Sequence, residues 1–267
     1  MAMRRKILTY SNKVVIKEKS ISKYFSKSES FQNEYLANQY VAPLGISPRM
    51  IGFDDVSLKV EYEKINGIEL SKMKSFISEK KFIKEIVKIF SSLYTISTPD
   101  NVGYLFENNL NKFDDYVEKK FYKRLRTITI FDDIQKSNII EYFEKNKSIL
   151  KELSDSKRVF LHYDLKPSNI FVVNDGIRII DFDKSSIGSP YMDLSKFYWR
   201  TLNFNEPAIK EIFKELDIYL DFEIINFFTI LHMLGSLSFY NTLHGEIKKQ
   251  FHRYAKESYK FITMTIR

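Results

Sequence analysis

Two β-rich runs interrupt the second half of this chain, which otherwise has the spacing of amphipathic helices. The first run covers residues 158–161 and 170–173, and the second covers residues 177–180. Residues 174–176 read Asn-Asp-Gly, which is a strong signal for a tight β-hairpin turn. This hairpin brings the segments that flank it back to one place. The sequence therefore predicts a small β unit within an otherwise helical domain.

Polar residues with the chemistry of phosphoryl transfer flank this hairpin. His162, Asp164 and Asn169 form the pattern H-x-D-x-x-x-x-N, and Asp181 follows twelve residues after Asn169. A carboxylate such as Asp164 can orient an attacking hydroxyl and accept its proton. Asn169 and Asp181 offer the hard oxygen ligands that Mg²⁺ prefers, and Mg²⁺ neutralises the charge of a triphosphate. Lys166 would add a positive charge beside the transferring phosphoryl group.

Composition excludes several classes of protein. Hydrophobic residues make up 44% of the 267 residues and aromatic residues 15%, which excludes a disordered chain. With only 8 glycines and 6 prolines, a helix-rich architecture is favoured. The lack of cysteine excludes disulfides and thiolate metal sites and fits a reducing cytoplasm. The net charge of +8 favours anionic partners such as nucleotides.

The residues up to Gly67 differ in pattern from those that follow. Strands are predicted at 7–17, with a turn at 11–13, and at 49–53 and 57–62, and a helix is predicted at 28–41. Beyond Gly67, helices are predicted at 75–96, 105–127, 132–153, 190–202, 207–218, 221–243 and 246–263. We therefore predict a small β-rich N-lobe at 1–66 and a mainly helical C-lobe at 67–267.

One segment is apolar enough to raise the question of a membrane span. Residues 224–245 contain no formally charged residue. Asparagine, threonine, histidine and serine interrupt this segment at close intervals, so we predict a buried core helix instead of a span. The basic N-terminus is followed by too short an apolar stretch for a secretion signal, and we expect a cytoplasmic protein.

The residues after Asp181 carry a resemblance to a known family. A Gly-x-Pro-x-x-Asp-Leu pattern runs from Gly188 to Leu194, and only eleven residues separate Asp181 from Asp193. This arrangement resembles the aminoglycoside phosphotransferase and choline kinase group of the protein-kinase-like superfamily. A protein kinase would instead show Asp-Phe-Gly, a longer activation segment and Ala-Pro-Glu. The resemblance implies an α+β, bilobal protein-kinase-like fold and transfer of the γ-phosphate of ATP or GTP to a small-molecule hydroxyl. The acceptor would be a sugar, a sugar phosphate, an amino alcohol or a glycolipid precursor.

The same resemblance implies a nucleotide site in the N-lobe. Lys17 ends a Val-Val-Ile-Lys strand and would contact the phosphates. Glu34 on the following helix would hold the ammonium group of Lys17, with Glu29 as the fallback partner. His162 would support the catalytic loop, and Asp183 would support the metal loop or cap a helix.

Residues 60–67 resemble the family's hinge between the two lobes, and the resemblance places the nucleotide site in the N-lobe and the catalytic loop and the acceptor site in the C-lobe. The adenine would bond backbone groups near Glu63 and Ile65, and Tyr62 would limit the depth of the pocket. No glycine precedes Gly45, so the Gly-rich loop that covers the phosphates in protein kinases is missing.

Only sixteen residues precede Lys17, so we expect the N-lobe to lack its first strand, unless residues 9–13 act as a rudimentary lid. The missing Gly-rich loop keeps open a nucleotide-binding pseudokinase or scaffold. The run Asp-Leu-Lys-Pro from Asp164 to Pro167 keeps open a protein Ser/Thr kinase.

The charge pattern predicts an acceptor that is neutral or anionic, such as a sugar, a sugar phosphate or a glycolipid precursor. A polycationic aminoglycoside would be repelled, since the chain carries a net charge of +8 and residues 261–267 contain no carboxylate side chain. Residues 119–126 hold five basic residues and no acid. We interpret them as a solvated helix face and expect no nucleic-acid partner.

Overall fold

A computed structural model describes residues 5–8, 12–73, 80–99, 101–107 and 112–266. The chain divides into two compact units, which are Met1–Asn109 with Arg158–Leu220, and Leu110–Lys157 with Asp221–Arg267. The described residues form helices and antiparallel sheets, which confirms the predicted α+β class. The boundary between residues 66 and 67 stays a prediction.

The first unit begins with a five-stranded antiparallel sheet. Its strands are β1 (Arg5–Leu8), β2 (Asn12–Ile16), β3 (Ser20–Phe25), β4 (Met50–Asp54) and β5 (Lys59–Glu63), in the order β1-β2-β3-β5-β4. β1 and β2 form the expected hairpin, and residues 9–11 of the suggested lid lie outside the described residues. β3 was missed because Ser22 and Lys23 are buried in it, which hides the apolar alternation of a strand. Two strands precede β3, so the expected lack of a first strand is wrong.

Helix α1 (Ser28–Val41) connects β3 to β4 and has the predicted bounds. It ends because Pro43 lies in the short 3-10 turn that follows, and Gly45 then adopts a left-handed φ of 64°. Phe31 of α1 packs edge-on against Phe25 of β3, with ring centroids 5.9 Å apart. The helix is thereby fixed against the sheet.

Among the described residues after β5, six strands of two to four residues form two three-stranded antiparallel sheets. The strands are β6 (Ile68–Glu69), β7 (Gly103–Tyr104), β8 (Val159–Leu161), β9 (Ile170–Val173), β10 (Gly176–Ile179) and β11 (Ser186–Gly188). The sheet orders are β10-β9-β6 and β7-β11-β8. The predicted hairpin is confirmed, since Val173 of β9 pairs with Gly176 of β10. β6, β7 and β11 were missed because strands of two or three residues depend on pairing with distant segments.

The helices after α1 are α2 (Lys80–Tyr94), α3 (Phe113–Thr127), α4 (Asp133–Lys145), α5 (Ser148–Ser154), α6 (Pro190–Arg200), α7 (Glu206–Glu215), α8 (Phe222–Asn241) and α9 (Gly245–Thr265). The single helix predicted at 132–153 is therefore two helices, α4 and α5. Asn146 separates them, because its side-chain Nδ2 donates to the Tyr142 carbonyl at 2.7 Å and the residue leaves the helical conformation.

Helix α6 is anchored in the core of the first unit. Its Phe197 packs against Phe82 and Phe90 of α2, with ring centroids 6.4 Å and 5.3 Å apart. Aromatic rings bury a large apolar area, so these contacts hold α6 firmly. The polar side chains on the first turns of α6 therefore belong to a helix that is fixed in the core.

Helix α8 belongs to the second unit and contains most of the uncharged segment. It is long and apolar enough to cross a membrane, but 67% of its most apolar window is buried. Phe227 stacks on Phe143 of α4 with ring centroids 5.6 Å apart, and Phe228 contacts Phe113 of α3. The prediction of a buried core helix is confirmed.

Candidate active site

The loop after β8 is held by a buried carboxylate on α6. Asp193 accepts hydrogen bonds from the backbone N–H groups of His162, at 2.9 Å, and Tyr163, at 2.6 Å. Tyr163 has a φ of 63°, in the left-handed region that a bulky residue seldom adopts. Burial raises the pKa of Asp193 to about 7, while the two N–H donors act in the opposite direction. Asp193 thus fixes an unfavourable turn just before Asp164.

The imidazole of His162 joins this loop to the segment before Asp181. The ring is fully buried, and its Nε2 lies 3.0 Å from the Ile180 carbonyl oxygen. Its Nδ1 accepts from the Asp164 backbone N–H at 3.2 Å, so Nε2 carries the proton of a neutral ring. Burial lowers the pKa of His162 to about 4. This arrangement agrees with the supporting role expected for His162.

Two lysines contact the carboxylate of Asp164, one on each oxygen. Lys166 Nζ lies 2.9 Å from Oδ2, and Lys196 Nζ lies 2.9 Å from Oδ1. Burial disfavours the charged carboxylate, but the two ammonium groups outweigh it and hold the pKa of Asp164 well below its usual range. Asp164 and Lys166 lie together as predicted. Sequence reasoning missed Lys196, which carries no signal beyond its position three residues after Asp193.

Asn169 and Asp181 lie beside each other, as predicted from the hairpin that separates them. Asn169 Nδ2 donates to the Asp164 carbonyl at 2.9 Å and lies 3.5 Å from Asp181 Oδ2. The Ile180 N–H donates to the Asn169 carbonyl at 3.0 Å and ties the ends of the hairpin together. Asp181 has a φ of 72°, which this cross-link maintains.

The donor set at this position fits Mg²⁺. The Nδ2 of Asn169 is held by the Asp164 carbonyl, and its side-chain oxygen accepts only a long hydrogen bond, 3.5 Å, from the Ser168 hydroxyl. That oxygen has a second lone pair with which it could bind a cation beside the Asp181 carboxylate. Among the described residues, no group of three or more His, Cys, Asp or Glu could hold a metal. Two protein oxygen ligands are what Mg²⁺ uses when substrate phosphates supply the others.

Lys23 of β3 is the lysine bonded to both Glu34 and Asp181, and the predicted position of Lys17 is corrected. Lys23 Nζ lies 3.1 Å from Glu34 Oε2 and is bonded to Asp181 Oδ1. Lys17 follows β2, and its Nζ lies 2.6 Å from Glu61 Oε1. The predicted pair of Lys17 and Glu34 is therefore wrong, because Lys23 is bonded to Glu34 and Asp181 whereas Lys17 is bonded to Glu61.

Glu34, predicted as the partner of Lys17, pairs with Lys23 instead, and the fallback Glu29 is exposed. Glu34 is also held by Tyr62 of β5, whose hydroxyl donates to Glu34 Oε1 at 2.7 Å. Asn38 Nδ2 donates to the same hydroxyl at 2.7 Å. Burial and the nearby Glu34 carboxylate raise the pKa of Tyr62 well above its usual value. Glu34 is thus bonded to Lys23 through one oxygen and to Tyr62 through the other, and Asn38 holds the Tyr62 hydroxyl.

The predicted hinge residues follow β5. The Glu63 side chain is exposed and bonded to Arg49, and its backbone N–H donates to the Arg49 carbonyl at 2.9 Å. Ile65 is half-buried. Gly67 lies against β9 so closely that an added Cβ would come within 2.7 Å of the Val172 carbonyl oxygen. Only glycine fits this approach without a shift of the backbone.

Asn33 of α1 fixes the segment after Asp181, and sequence reasoning missed it. It is fully buried, and its Nδ2 donates to the carbonyls of Ser185, at 2.8 Å, and Asp183, at 3.2 Å. Its Oδ1 accepts from the Leu105 N–H at 2.9 Å. Asp183 is buried as well, with Lys184 at 3.3 Å. The helix that carries Glu34 therefore also holds the loop that carries Asp181.

The antiparallel sheet, the helix that carries Glu34 and the loops that carry Asp164 and Asp181 together define a protein-kinase-like phosphotransferase. Residues 15–218 match the family model described as the phosphotransferase enzyme family, APH, and the chain belongs to this family. The predicted membership of the protein-kinase-like superfamily is confirmed.

Three known proteins are similar to this chain. It is 29% identical over 206 residues to the Protein LicA homolog of Metamycoplasma hominis. The matched region covers 77% of this chain and 70% of that protein. Its structure is similar to choline kinase LicA from Streptococcus pneumoniae, with a TM-score of 0.67 and 19% identity over 99% of this chain and 93% of the other. It is also similar to the streptomycin-ATP-APH(2")-IIa ternary complex, with a TM-score of 0.69 and 14% identity over 97% and 91% of the two chains. These two structural likenesses show the fold.

Proposed function

We propose that this protein transfers the γ-phosphate of ATP or GTP to a hydroxyl group of a small molecule. The observation that carries the proposal is one connected cluster. Asp164 is bonded through its backbone to Asn169, Asn169 lies 3.5 Å from Asp181, and Lys23 is bonded to Asp181. A base, a cation site and a phosphate-binding lysine are the parts that phosphoryl transfer needs.

Asp164 is the proposed catalytic base. Its carboxylate is 17% exposed, so an incoming hydroxyl can reach it. Because the lysines keep it ionised, it is ready to accept a hydrogen bond from that hydroxyl and to take the proton as the new O–P bond forms. Lys166, on the other side of this carboxylate, is placed to donate to the phosphoryl group being transferred.

The nucleotide is proposed to bind beside Asp181. Asn169 and Asp181 would hold Mg²⁺, which neutralises the charge of the phosphates when bound. Lys23, in place of Lys17, would contact the phosphates, and Glu34 would keep its ammonium group in position. The Glu63 N–H already donates within the sheet, so Glu63 would offer its carbonyl to the adenine.

The remaining hinge contacts complete this proposal. Ile65 would offer its backbone N–H to the adenine. Tyr62, whose hydroxyl is turned to Glu34, would bound the pocket with its ring. An enzyme without cysteine that uses these nucleotides fits the cytoplasm.

The charges near Asp164 favour a neutral or anionic acceptor. Lys166 and Lys196 contact Asp164, and Arg200 lies close enough to disfavour a charge on either lysine. A polycation would approach this group of three positive side chains at a Coulombic cost. A neutral sugar or a sugar phosphate would approach these side chains without that Coulombic cost.

An amino alcohol such as choline or ethanolamine is the second candidate for the acceptor. It is favoured by the similarity to the Protein LicA homolog and to choline kinase LicA. A single positive charge on the acceptor would then have to lie away from the lysines that contact Asp164.

The experiment is a phosphotransfer assay on the purified chain with ATP or GTP and Mg²⁺. The acceptors are choline, ethanolamine, a neutral sugar, a sugar phosphate, kanamycin and casein. We expect transfer to at least one small-molecule acceptor and none to casein. Asp164→Asn should abolish transfer while the thermal shift caused by the nucleotide is retained, because the carboxylate serves the acceptor.

Each other result of this assay has a definite meaning. Transfer to casein alone would make the protein a protein kinase. Nucleotide binding without transfer to any acceptor would make it a pseudokinase. Efficient transfer to kanamycin with none to sugars or sugar phosphates would refute the argument from charge.

A further inference from the structure

The carboxylate of Asp164 contacts two lysines that come from different elements of the fold. Lys166 belongs to the same loop as Asp164, whereas Lys196 comes from α6. Lys196 Nζ makes a second hydrogen bond to the Tyr163 carbonyl, at 2.8 Å, and its side chain is only 19% exposed. Burial removes water from the Lys196 ammonium group, which costs free energy. Its bonds to the Asp164 carboxylate and the Tyr163 carbonyl compensate for this cost.

The position of Lys196 on α6 gives this contact its rigidity. Lys196 follows Asp193 by three residues, so the two side chains lie on the same face of the helix, one turn apart. Asp193 holds the backbone N–H groups at the start of the loop, and Lys196 holds the Tyr163 carbonyl and the Asp164 side chain. Two adjacent turns of one anchored helix therefore position both the backbone and the carboxylate.

The two lysines together fix the plane of the carboxylate. An aspartate side chain rotates about two bonds, and a single cation leaves much of that rotation possible. With Lys196 on Oδ1 and Lys166 on Oδ2, each oxygen has its own donor. Without Lys196, both oxygens could turn to Lys166, and that lysine would be withdrawn from the phosphoryl group.

We propose that Lys196 is a positioning residue, which holds the Asp164 carboxylate in the orientation that the acceptor hydroxyl requires. The inference rests on the proposed function, since Asp164 is the base of that reaction. Lys196 acts through Asp164 and not through the nucleotide, because its two bonded partners are Asp164 and Tyr163. Its loss should therefore reduce kcat and leave nucleotide binding unchanged.

The first test compares Lys196→Met with Lys196→Arg in the phosphotransfer assay. We expect Lys196→Met to lower kcat by about 10- to 100-fold, because a displaced catalytic group loses its alignment with the substrate. The KM for the nucleotide should change by less than about 2-fold, and Lys196→Arg should recover most of the loss in kcat, since arginine can still donate to a carboxylate. Lys214→Met is the matched control, since Lys214 is 74% exposed on α7.

The second test measures the thermal shift caused by the nucleotide and Mg²⁺ in the wild type and in Lys196→Met. If Lys196 acts through the Asp164 carboxylate and not through the nucleotide, the two shifts should be equal. A smaller shift in Lys196→Met with an unchanged kcat would overturn the proposal, as would a rise in the nucleotide KM without a fall in kcat. A general loss of folding would appear as a lower thermal midpoint and as a loss of nucleotide binding, which the proposal does not predict.

A third test does not depend on the acceptor. A crystal structure of Lys196→Met should show the Asp164 carboxylate turned away from its wild-type orientation, and an unchanged carboxylate would overturn the proposal. If the wild-type chain transferred phosphate to no acceptor, the proposed function would fail, while this structure would still decide whether Lys196 positions Asp164.

Discussion

The buried histidine beside the catalytic loop should make the protein sensitive to acid. His162 is fully buried and neutral, with its Nδ1 accepting from the Asp164 N–H and its Nε2 beside the Ile180 carbonyl. Protonation would place an N–H on Nδ1, directly against the N–H of Asp164. A protonated ring would therefore lose its hydrogen bond from the Asp164 N–H. The folded chain favours the neutral ring instead, which means that the pKa of His162 is lowered on folding.

The magnitude follows from the change in pKa on folding. The pKa of His162 falls from 6.5 to about 4 in the folded chain, because burial disfavours the imidazolium. The folded state thus prefers the neutral ring, and its advantage is complete above pH 6.5 and is lost as the pH falls towards 4. Between pH 7.5 and pH 5.0, this one group should remove about 2 kcal/mol from the free energy of unfolding.

The assay is urea unfolding of the wild type and of His162→Gln at pH 7.5 and pH 5.0. Glutamine does not titrate in this range, so the variant should be less stable at pH 7.5 but should lose about 2 kcal/mol less than the wild type on acidification. The matched control is His244→Gln, the same change at an exposed histidine. It should keep the full acid-dependent loss, since His162 is intact.

Equal losses of stability in the wild type and in His162→Gln would refute the argument. A ring whose NMR signals show the imidazolium in the folded chain at pH 6 would refute it as well, because the neutral form would then not be the one that folding selects.

Three further predictions concern the sheet and the hinge. Lys23→Met should lower phosphotransfer by at least about 100-fold in kcat/KM, whereas Lys17→Met should change it by less than about 3-fold, because only the first lysine reaches the cation site. Gly67→Ala should lower the free energy of unfolding in urea by about 1–3 kcal/mol, because the added Cβ would come within 2.7 Å of a backbone oxygen. The control is Gly52→Ala, whose Cβ would have no atom within 4 Å, and it should change the free energy of unfolding by less than about 0.5 kcal/mol. Tyr62→Phe should cost about 1–2 kcal/mol in the same assay and raise the nucleotide KM, and an unchanged KM would show that its buried hydroxyl does not position the lysine.

Local sequence brought the two proposed cation ligands, Asn169 and Asp181, together. Asp164, Asn169 and Asp181 lie within eighteen residues of one another, and an Asn-Asp-Gly turn returns the chain between the last two. A tight hairpin is encoded by the conformations that its few residues prefer, so the approach of Asn169 Nδ2 to 3.5 Å from Asp181 Oδ2 could be predicted from the sequence. Helix α1 was predicted at its observed bounds for the same reason, since its limits depend on local residues.

The tertiary structure decided which lysine meets Glu34. Lys17 follows an apolar run that looks like a strand, whereas Lys23 lies in a strand whose serine and lysine face inwards. The order of strands in a sheet depends on pairing between distant segments, and β3 lies next to β5 in that order. Neither feature can be inferred from the spacing of residues along the chain.

Packing likewise determined the roles of Asn33 and Lys196. Each is a polar residue on a helix, and in the sequence each is typical of a surface position. In the folded chain Asn33 is fully buried against the loop after Asp181, and Lys196 is held between Asp164 and Tyr163. The sequence specifies the chemistry of a side chain, but its partners, and the loss of water that makes those partners necessary, are set by distant segments that pack around it.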